Sequence, residues 1–282
     1  MVRKERHTIK HLIQLQDLIV ARAQQQASMP KARLEQLDKS VAMMAGELPI
    51  DLKTHFNRLL QKNIEAIVPI TGDNCSGCGF ALTKTMVNSI NGGDELNRCP
   101  NCTRILYAPD VPLTRNSPRR RWGDPVKRGI ERFSAPELMI PSLKGTTKEE
   151  ILLEMCENLR EQGYVESCTD LHDAALRREA IVPTAVEHGI AFPHVRGVEG
   201  GGLVLSVGIS KKGVKFGAAG DKLSKIFFYM VIPTAASAFY LKLLSGLTQS
   251  FADKEARDLL LKAKTQEELW KILVKATKKH IV

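Results

Sequence analysis

The stretch REAIVPTAVEHGIAFPHVR, residues 178–196, decides how the second half of the chain is read. Ile190, Ala191 and Phe192 make a short apolar run of strand type, and Pro193 has no N–H to donate to a sheet ladder. Pairing is therefore expected to stop at Pro193, delivering His194 to a strand end, where open α/β sheets keep their ligands. A neutral imidazole nitrogen placed there is a competent nucleophile toward phosphorus. Arg178 or Arg196 would supply the positive charge that a transferring phosphoryl group needs. On these residues alone, a lone histidine also has a structural reading as a satisfied core side chain.

The surroundings of this stretch alternate helix and strand. TTKEEILLEMCENLREQGYV (146–165) opens with Thr147 three residues before Glu150, a capping box, carries Ile151, Met155 and Leu159 on one face, and stops at Gly163. GLVLSVGIS (202–210) and SKIFFYMVIP (224–233) read as strands, the second apolar enough to be buried on both faces. AFYLKLLSGLTQSFA (238–252) and TQEELWKILVKATKK (265–279) read as closing helices, the latter with a second capping box at Thr265 and Glu268. The expectation is an α/β domain with a mixed sheet flanked by helices. Cys156 and Cys168 are read as packing residues.

The first half differs in charge and pattern. Of the net charge of +10 on 282 residues, most sits in residues 1–133, which hold 21 Lys and Arg against 13 Asp and Glu. In residues 5–67 the apolar spacing predicts three helical pieces. Ile9, Leu12, Ile13, Gln16 and Ile19 share one face. Leu34, Leu37, Val41, Met44 and Leu48 recur in the a/d rhythm of a short coiled coil, and Phe56, Leu59, Leu60, Ile64 and Ile67 follow Pro49 as a third stripe. An intramolecular hairpin and a homodimer arm both satisfy this pattern.

Cys75-x2-Cys78 and Cys99-x2-Cys102, twenty residues apart, supply four thiolates with turn-forming Gly77, Gly79, Pro100 and Asn101 beside them. Four sulfurs leave a zinc ion no open coordination position, so the expected role of the metal is structural. A reducing, cytoplasmic setting is expected, since no apolar run is long enough for a membrane span and the N-terminus lacks a signal-peptide core. Residues 108–135 read as a basic linker. Its Arg119–Arg121 cluster beside Trp122 suits a phosphate backbone and a stacked base, although a solvated tether is the preferred reading.

CSGCGFAL, GGDELNRCPNC and RILY following the helices resemble the bacterial family of helical-hairpin proteins that end in a four-cysteine zinc ribbon. The resemblance covers residues 5–107 and implies a nucleic-acid-binding role in its family. Arg178-Glu179, Thr184 and Gly189–His194, followed by FFYMVIPTAASAFYLKLLSGLTQSFAD, resemble the enzyme IIA domain of the fructose-mannitol class of the sugar phosphotransferase system. That class includes nitrogen-related regulatory members. The second resemblance spans residues 136–282 and implies that His194 accepts a phosphoryl group from the histidine-containing phosphocarrier protein or a paralogue. It also implies that Arg178 stabilises the group and that Thr184 is a hydrogen-bonding neighbour.

Where that family commonly has a second histidine, seven residues after the strand-ending proline, this chain has Tyr240. A phenol can hydrogen-bond a phosphate oxygen but carries no imidazolium charge. Family glycines ahead of the motif are replaced by Ala185 and Glu187, which would bring negative charge toward the phosphate, with His188 next to it.

The expected organisation is a helical hairpin at 1–70, a zinc ribbon at 71–107, the linker at 108–135 and an enzyme IIA-like domain at 136–282. The expected function is that of a regulatory phosphohistidine component of the phosphotransferase system, with a regulatory protein as a further partner and no insertion into a membrane. The alternatives are a degenerate docking protein whose basic half binds nucleic acid and a sugar-transport enzyme IIA component.

Overall fold

The computed structural model describes residues 2–28, 34–63, 65–92, 95–108, 127–198, 202–217, 222–233 and 237–281. Arg119–Arg121, Trp122 and most of the basic linker lie outside the described residues. The chain divides into two compact units, residues 1–26 with 31–112, and residues 113–282 with 27–30.

The first unit begins with helices α1 (Val2–Ser28), α2 (Glu35–Gly46) and α3 (Ile50–Lys62). Leu12 and Leu15 of α1 meet Leu52, Phe56 and Leu59 of α3 in one core, against which Val41 and Met44 of α2 pack. His11 Nε2 lies 2.8 Å from the carbonyl of Met44, and Arg22 pairs with Asp38. The first stripe and most of the third are thus covered within the chain, while Leu37, Val41 and Met44 of the second stay partly exposed.

The third stripe is shorter than its spacing suggested. The helix ends at Asn63, whose extended backbone turns the chain out, and Ile67 belongs to strand β1 (Ile67–Thr71) instead. The segment IVPIT is β-branched apart from Pro69, which cannot continue a helix. Strand β1 pairs antiparallel with β2 (Asn74–Cys75) and parallel with β3 (Ile105–Tyr107). Helix α4 (Lys84–Gly92), which the sequence reading did not anticipate, fills the interval between the two cysteine pairs and buries Val87 and Ile90.

Gln16 joins helix to ribbon. Its Oε1 accepts the N–H groups of Ala66 and Ile67 at 2.7 and 2.9 Å, and its Nε2 donates to the Ile67 carbonyl at 2.8 Å. The carboxamide therefore does the work of a neighbouring strand for the start of β1, where three buried backbone groups need partners.

The second unit is a mixed sheet flanked by helices. Its strands are β4 (Met139–Ile140), β5 (Ala185–Val186), β6 (Ile190–Ala191), β7 (His194–Val198), β8 (Val204–Lys215) and β9 (Leu223–Pro233), in the order β4-β8-β9-β6-β5 with β7 also on β9. Strands β8 and β9 pair antiparallel, whereas β6 and β7 both run parallel to β9. Phe227 through Ile232 are all fully buried, as the apolar run in β9 requires.

Helices α5 (Lys148–Glu161), α6 (Cys168–Ile181), α7 (Ser237–Ser250), α8 (Lys254–Lys262) and α9 (Gln266–Thr277) supply the remaining core. The capping box at Thr147 and Glu150 is complete. At α9, Thr265 caps the Glu268 N–H while the Glu268 carboxylate accepts from Lys264 N–H. Gly208 permits a close approach, since a Cβ there would sit 2.6 Å from Leu143 Cδ1. Among the described residues no helix is long and apolar enough to cross a membrane.

Replacing Gln16 by Met keeps its volume and helix propensity but strands two N–H groups and a carbonyl. The expected loss is about 3 kcal/mol from the first unit, at roughly 1 kcal/mol per unsatisfied group. Urea unfolding followed by backbone amide signals of residues 66 and 67 measures it, and an unchanged midpoint contradicts this role.

Candidate metal centre and candidate phosphoryl site

In the first unit the Sγ atoms of Cys75, Cys78, Cys99 and Cys102 all lie within 4.8 Å of one another. Cys75 and Cys102 sulfurs are 3.7 Å apart, and those of Cys78 and Cys99 are 3.6 Å apart. Zn–S bonds of about 2.3 Å in a tetrahedron place sulfurs about 3.8 Å apart, close to these two separations, so the four thiols are gathered as a zinc ion would hold them.

Each knuckle turns through a left-handed residue after its second cysteine, Gly79 (φ 74) and Thr103 (φ 60). This aims N–H groups back at the chain: Gly79 N–H donates to the Cys75 carbonyl at 2.8 Å, and Thr103 N–H to the Cys99 carbonyl at 2.9 Å. Thr103 is an unusual choice for that conformation. His55 on α3 holds it by donating Nε2–H to the Thr103 carbonyl at 3.0 Å, with Arg58 Nη2 on its Nδ1 at 3.1 Å. Arg104 ties both knuckles to the helices through the carbonyls of Glu65 and Gly77 and the side chain of Asn63.

Burial pushes the Cys75 and Cys99 thiols up. For Cys78 burial pushes the same way, but the Phe80 N–H and neighbouring thiols outweigh it and bring it down to about 7. A divalent cation is what allows all four to ionise together. Cys156 and Cys168 stand outside this cluster, and Cys156 Sγ is 3.4 Å from the buried Tyr229 hydroxyl.

In the second unit His194 is reached differently from the sequence expectation. Pro193 does break the ladder, but only locally. Its carbonyl accepts the Met230 N–H at 2.9 Å, and pairing resumes at His194 opposite Met230. His194 therefore opens a strand inside the sheet, is 2% exposed, and does not project from a strand end.

Four neighbours converge on this ring. Arg178 on α6 donates Nε–H to His194 Nε2 at 2.9 Å, and its Nη1 donates to the Val182 carbonyl at 3.0 Å. Because Nε2 accepts, the ring proton sits on Nδ1 and is given to the Phe192 carbonyl at 3.0 Å. The Tyr240 hydroxyl oxygen is 3.3 Å from the same Nδ1, with ring centroids 5.1 Å apart. Burial first, and then the charges of Arg178 and Arg196, hold the His194 pKa well below the usual histidine range, against the Phe192 hydrogen bond. The imidazole is neutral, with its nucleophilic lone pair on Nε2. Burial also pushes the Tyr240 phenol up, so it stays un-ionised.

Thr184 and His188 are placed elsewhere than expected. Thr184 gives both its N–H and its hydroxyl to Glu179, each at 2.7 Å. Its hydroxyl proton is thus committed to a carboxylate. Residues 185–191 fold back as an antiparallel hairpin, Ala185 opposite Ala191, with His188 (φ 66) at its exposed tip. Gly189 abuts Leu223, seven residues along β9 from the Met230 that faces His194, a separation of roughly 20 Å at strand rise. The tip is therefore too far away for Glu187 or His188 to meet a group on His194. Glu179, next to Arg178 in the motif, is a further buried group of the site. It is 2% exposed, and burial pushes its carboxyl up to about 7, against the Thr184 hydrogen bonds and the charges of Arg178 and Lys148.

Residues 133–276, just over half of the chain, match the family model described as phosphoenolpyruvate-dependent sugar phosphotransferase system, EIIA 2, and the chain belongs to that family. Residues 74–106 match the C4-type zinc ribbon domain, in keeping with the four-sulfur geometry. Among curated proteins, the chain is 28% identical over 127 residues to the fructose-specific EIIA component of Haloferax volcanii, covering 45% of this chain and 82% of that protein. It is 24% identical over 140 residues to a nitrogen regulatory protein of Bradyrhizobium diazoefficiens, covering 49% and 90%. Among solved structures, the nitrogen regulatory protein IIA-Ntr of Neisseria meningitidis aligns at a TM-score of 0.46 and 24% identity, over 50% of this chain and 96% of that one.

Two outcomes follow from the geometry. Cys99→Ser releases the metal and unfolds the first unit while leaving the thermal transition of the second in place. Zinc content by elemental analysis, together with the two transitions, tests this, and a first unit that stays folded with chelator present contradicts it. Glu179 in the folded state binds a proton up to about pH 7, against 4.5 for an unperturbed glutamate, so stability falls as pH rises between these values and the loss is complete above 7. Glu179→Gln removes this penalty and is expected to raise stability at pH 8 by about 3 kcal/mol while changing little at pH 4. Denaturant titrations at the two pH values measure the difference.

Proposed function

We propose that His194 is a phosphoacceptor and that the protein acts as a regulatory phosphohistidine component of the phosphotransferase system. The donor in this reading is the phosphohistidine of a histidine-containing phosphocarrier protein or a paralogue. Residues 136–282 form the acceptor and residues 1–107 an interaction module carrying structural zinc, joined by 108–135. The observation that carries the reading is the Arg178 Nε–H on His194 Nε2 at 2.9 Å, together with the Nδ1–H on the Phe192 carbonyl at 3.0 Å. This pair of contacts leaves one nitrogen nucleophilic and stations a cation at the point of attack.

In the transfer, the Nε2 lone pair forms the new N–P bond while the donor's N–P bond breaks, its electron pair returning to the donor imidazole. The Nδ1 proton stays in place, so positive charge builds on the His194 ring and is balanced by the Phe192 carbonyl. Arg178 passes from the nitrogen to the phosphoryl oxygens, with Arg196 as a second cation on the same face of β7. Tyr240 adds a neutral phenol where a second imidazole would carry charge, so phosphate enters more readily than it leaves. That asymmetry suits a modification used as a signal. It argues against the sugar-transport alternative, which needs rapid onward transfer. One observation favours the docking reading, in which no phosphate is taken up: the 2% exposure of His194.

Intact mass after incubation with phosphoenolpyruvate and the general phosphotransferase proteins decides between the two. Wild type is expected to gain one acid-labile phosphoryl group, and His194→Ala none. Arg178→Ala should slow uptake by about a hundredfold or more, as loss of a preorganised donor does elsewhere. Tyr240→His should speed onward transfer. Absence of label on wild type, or equal label on His194→Ala, overturns the proposal. Salt-sensitive nucleic-acid binding in that case supports the docking reading.

A further inference from the structure

The end of the β8–β9 ribbon away from His194 is shaped by a bulge. Ile209 pairs with Ile226 and Val214 with Ser224, so residues 210–213 stand opposite Lys225 alone. The extra residues form a closed turn. Gly213 (φ 82) gives its N–H to Ser210 Oγ at 3.1 Å, and Lys211 reaches the Leu261 and Ala263 carbonyls at the end of α8, at 2.8 and 3.1 Å. A Cβ at Gly213 would lie 2.9 Å from Leu223 Cβ and 3.1 Å from Lys225 Cγ, so the glycine shares their face. Beyond the bulge Lys215 pairs with Leu223. The ribbon thus presents Lys215, Leu223 and Lys225 on one face, flanked by the exposed Lys212 and Lys222.

Residues 204–217 and 222–233 contain no acidic side chain, and Asp221 lies outside the described residues. Glu187, on the neighbouring hairpin, is 4.0 Å from His188. Leu223 is 43% exposed among these lysines. A leucine ringed by cations suits an acidic surface with an apolar centre better than a phosphate backbone, which offers a leucine nothing. Such a surface exists on the same unit. The solvent side of α5 carries Glu149, Leu153, Glu157 and Glu161 at successive steps of four, all exposed, Leu153 at 38%. The other acids of α5 are engaged, Glu150 with Thr146 and Thr147, and Glu154 with the N–H groups of Lys144 and Gly145. Of its cations, Arg160 lies at the far end of the row and Lys148 is turned to the Phe216 ring. Among the described residues, no ion pair uses Glu149, Glu157, Glu161, Lys212, Lys222 or Lys225.

Both surfaces lie on one side of the sheet. Side chains alternate along β9. Tyr229, whose hydroxyl meets Cys156 of α5, and Phe227, whose strand partner Gly208 meets Met155 of α5, mark the side that this helix covers. Leu223 and Lys225 follow on that side at steps of two. We propose that the lysine and leucine face of the β8–β9 ribbon is a docking surface for the acidic α5 face of a second copy of this chain. A two-fold axis sets each α5 row on the other copy's ribbon, with Leu153 against Leu223 and glutamates against lysines, and so forms two like contacts per pair. This surface is separate from the phosphoacceptor reading and does not depend on it.

Sedimentation velocity of the full-length protein, followed up to about 1 mM chain, the weak end of specific association, tests the proposal. Wild type is expected to pass reversibly from monomer to dimer, and to return to monomer in about 1 M sodium chloride, where charges are screened beyond about 3 Å. Glu157→Lys and Lys225→Glu are each expected to weaken self-association about tenfold or more, since each sets like charges together at both contacts. Mixed in equal amounts, the two variants are expected to recover the dimer, because each supplies the charge that the other has lost. Misfolding of either variant cannot produce that recovery. Leu223→Ser should weaken the dimer with every charge in place.

A wild type that stays monomeric throughout, a dimer that both charge reversals leave intact, or variants that do not recover on mixing overturn the proposal. Growth past the dimer overturns it as well, since only head-to-tail contacts continue. A monomeric wild type that captures a labelled polyglutamate peptide at low salt, and loses it in Lys225→Glu, gives the lysine face to an acidic partner of another kind. Capture of a labelled DNA duplex in its place gives that face to nucleic acid. Either result removes the second copy as its occupant.

Discussion

The second unit depends on a proline that interrupts a strand without ending it. Pro193 cannot donate to β9, yet its carbonyl still accepts from Met230, so the chain leaves the sheet for one link and rejoins it at His194. Phe192 faces the other way, with its N–H on the Thr184 carbonyl. Its own carbonyl takes the His194 Nδ1 proton and sets the tautomer, and the tautomer presents the Nε2 lone pair to Arg178. The chemistry available to the imidazole thus follows from what meets its two nitrogens.

Electrostatics at the site trades stability for readiness. Burial and two arginines keep His194 neutral, and burial holds Glu179 at a pKa of about 7, where its charge is costly. Both groups would be more comfortable in water. Their retention in a buried position fits a site in which geometry is set before a partner arrives. Arg178 covers Nε2 in this state, so anything that is to bond to this nitrogen requires movement of one guanidinium.

The ribbon unit solves a different problem, that of a small core. Its hydrophobic clusters are modest, and four thiols, Arg104 and Gln16 supply the cross-links that apolar area does not. Gln16 is the informative case. A polar residue in an apolar stripe looks like an imperfection in a helix face, yet in the folded unit it completes the edge of β1.

Local chemistry by itself determined the metal centre, since two Cys-x-x-Cys pairs with turn residues between them have few other uses, and it determined the capped helices and the doubly buried strand. It raised His194 as a candidate and left Arg178 and Arg196 both open as its cation, and only the family resemblance pointed to Arg178 and to Tyr240, both of which the fold brings to the ring. Registers and long-range closures were decided only in three dimensions. Whether the segment after Phe192 stops or resumes pairing depends on what Met230 presents, and whether His188 reaches the site depends on the hairpin of residues 185–191. Whether Ile67 extends a helix or starts a strand depends on β3 lying beside it, and the meeting of Arg178, the Phe192 carbonyl and Tyr240 at His194 joins three segments. Periodicity records which face a residue occupies, but hydrogen-bond partners from distant segments are set by the tertiary fold, because directional bonds require positions that no local pattern specifies.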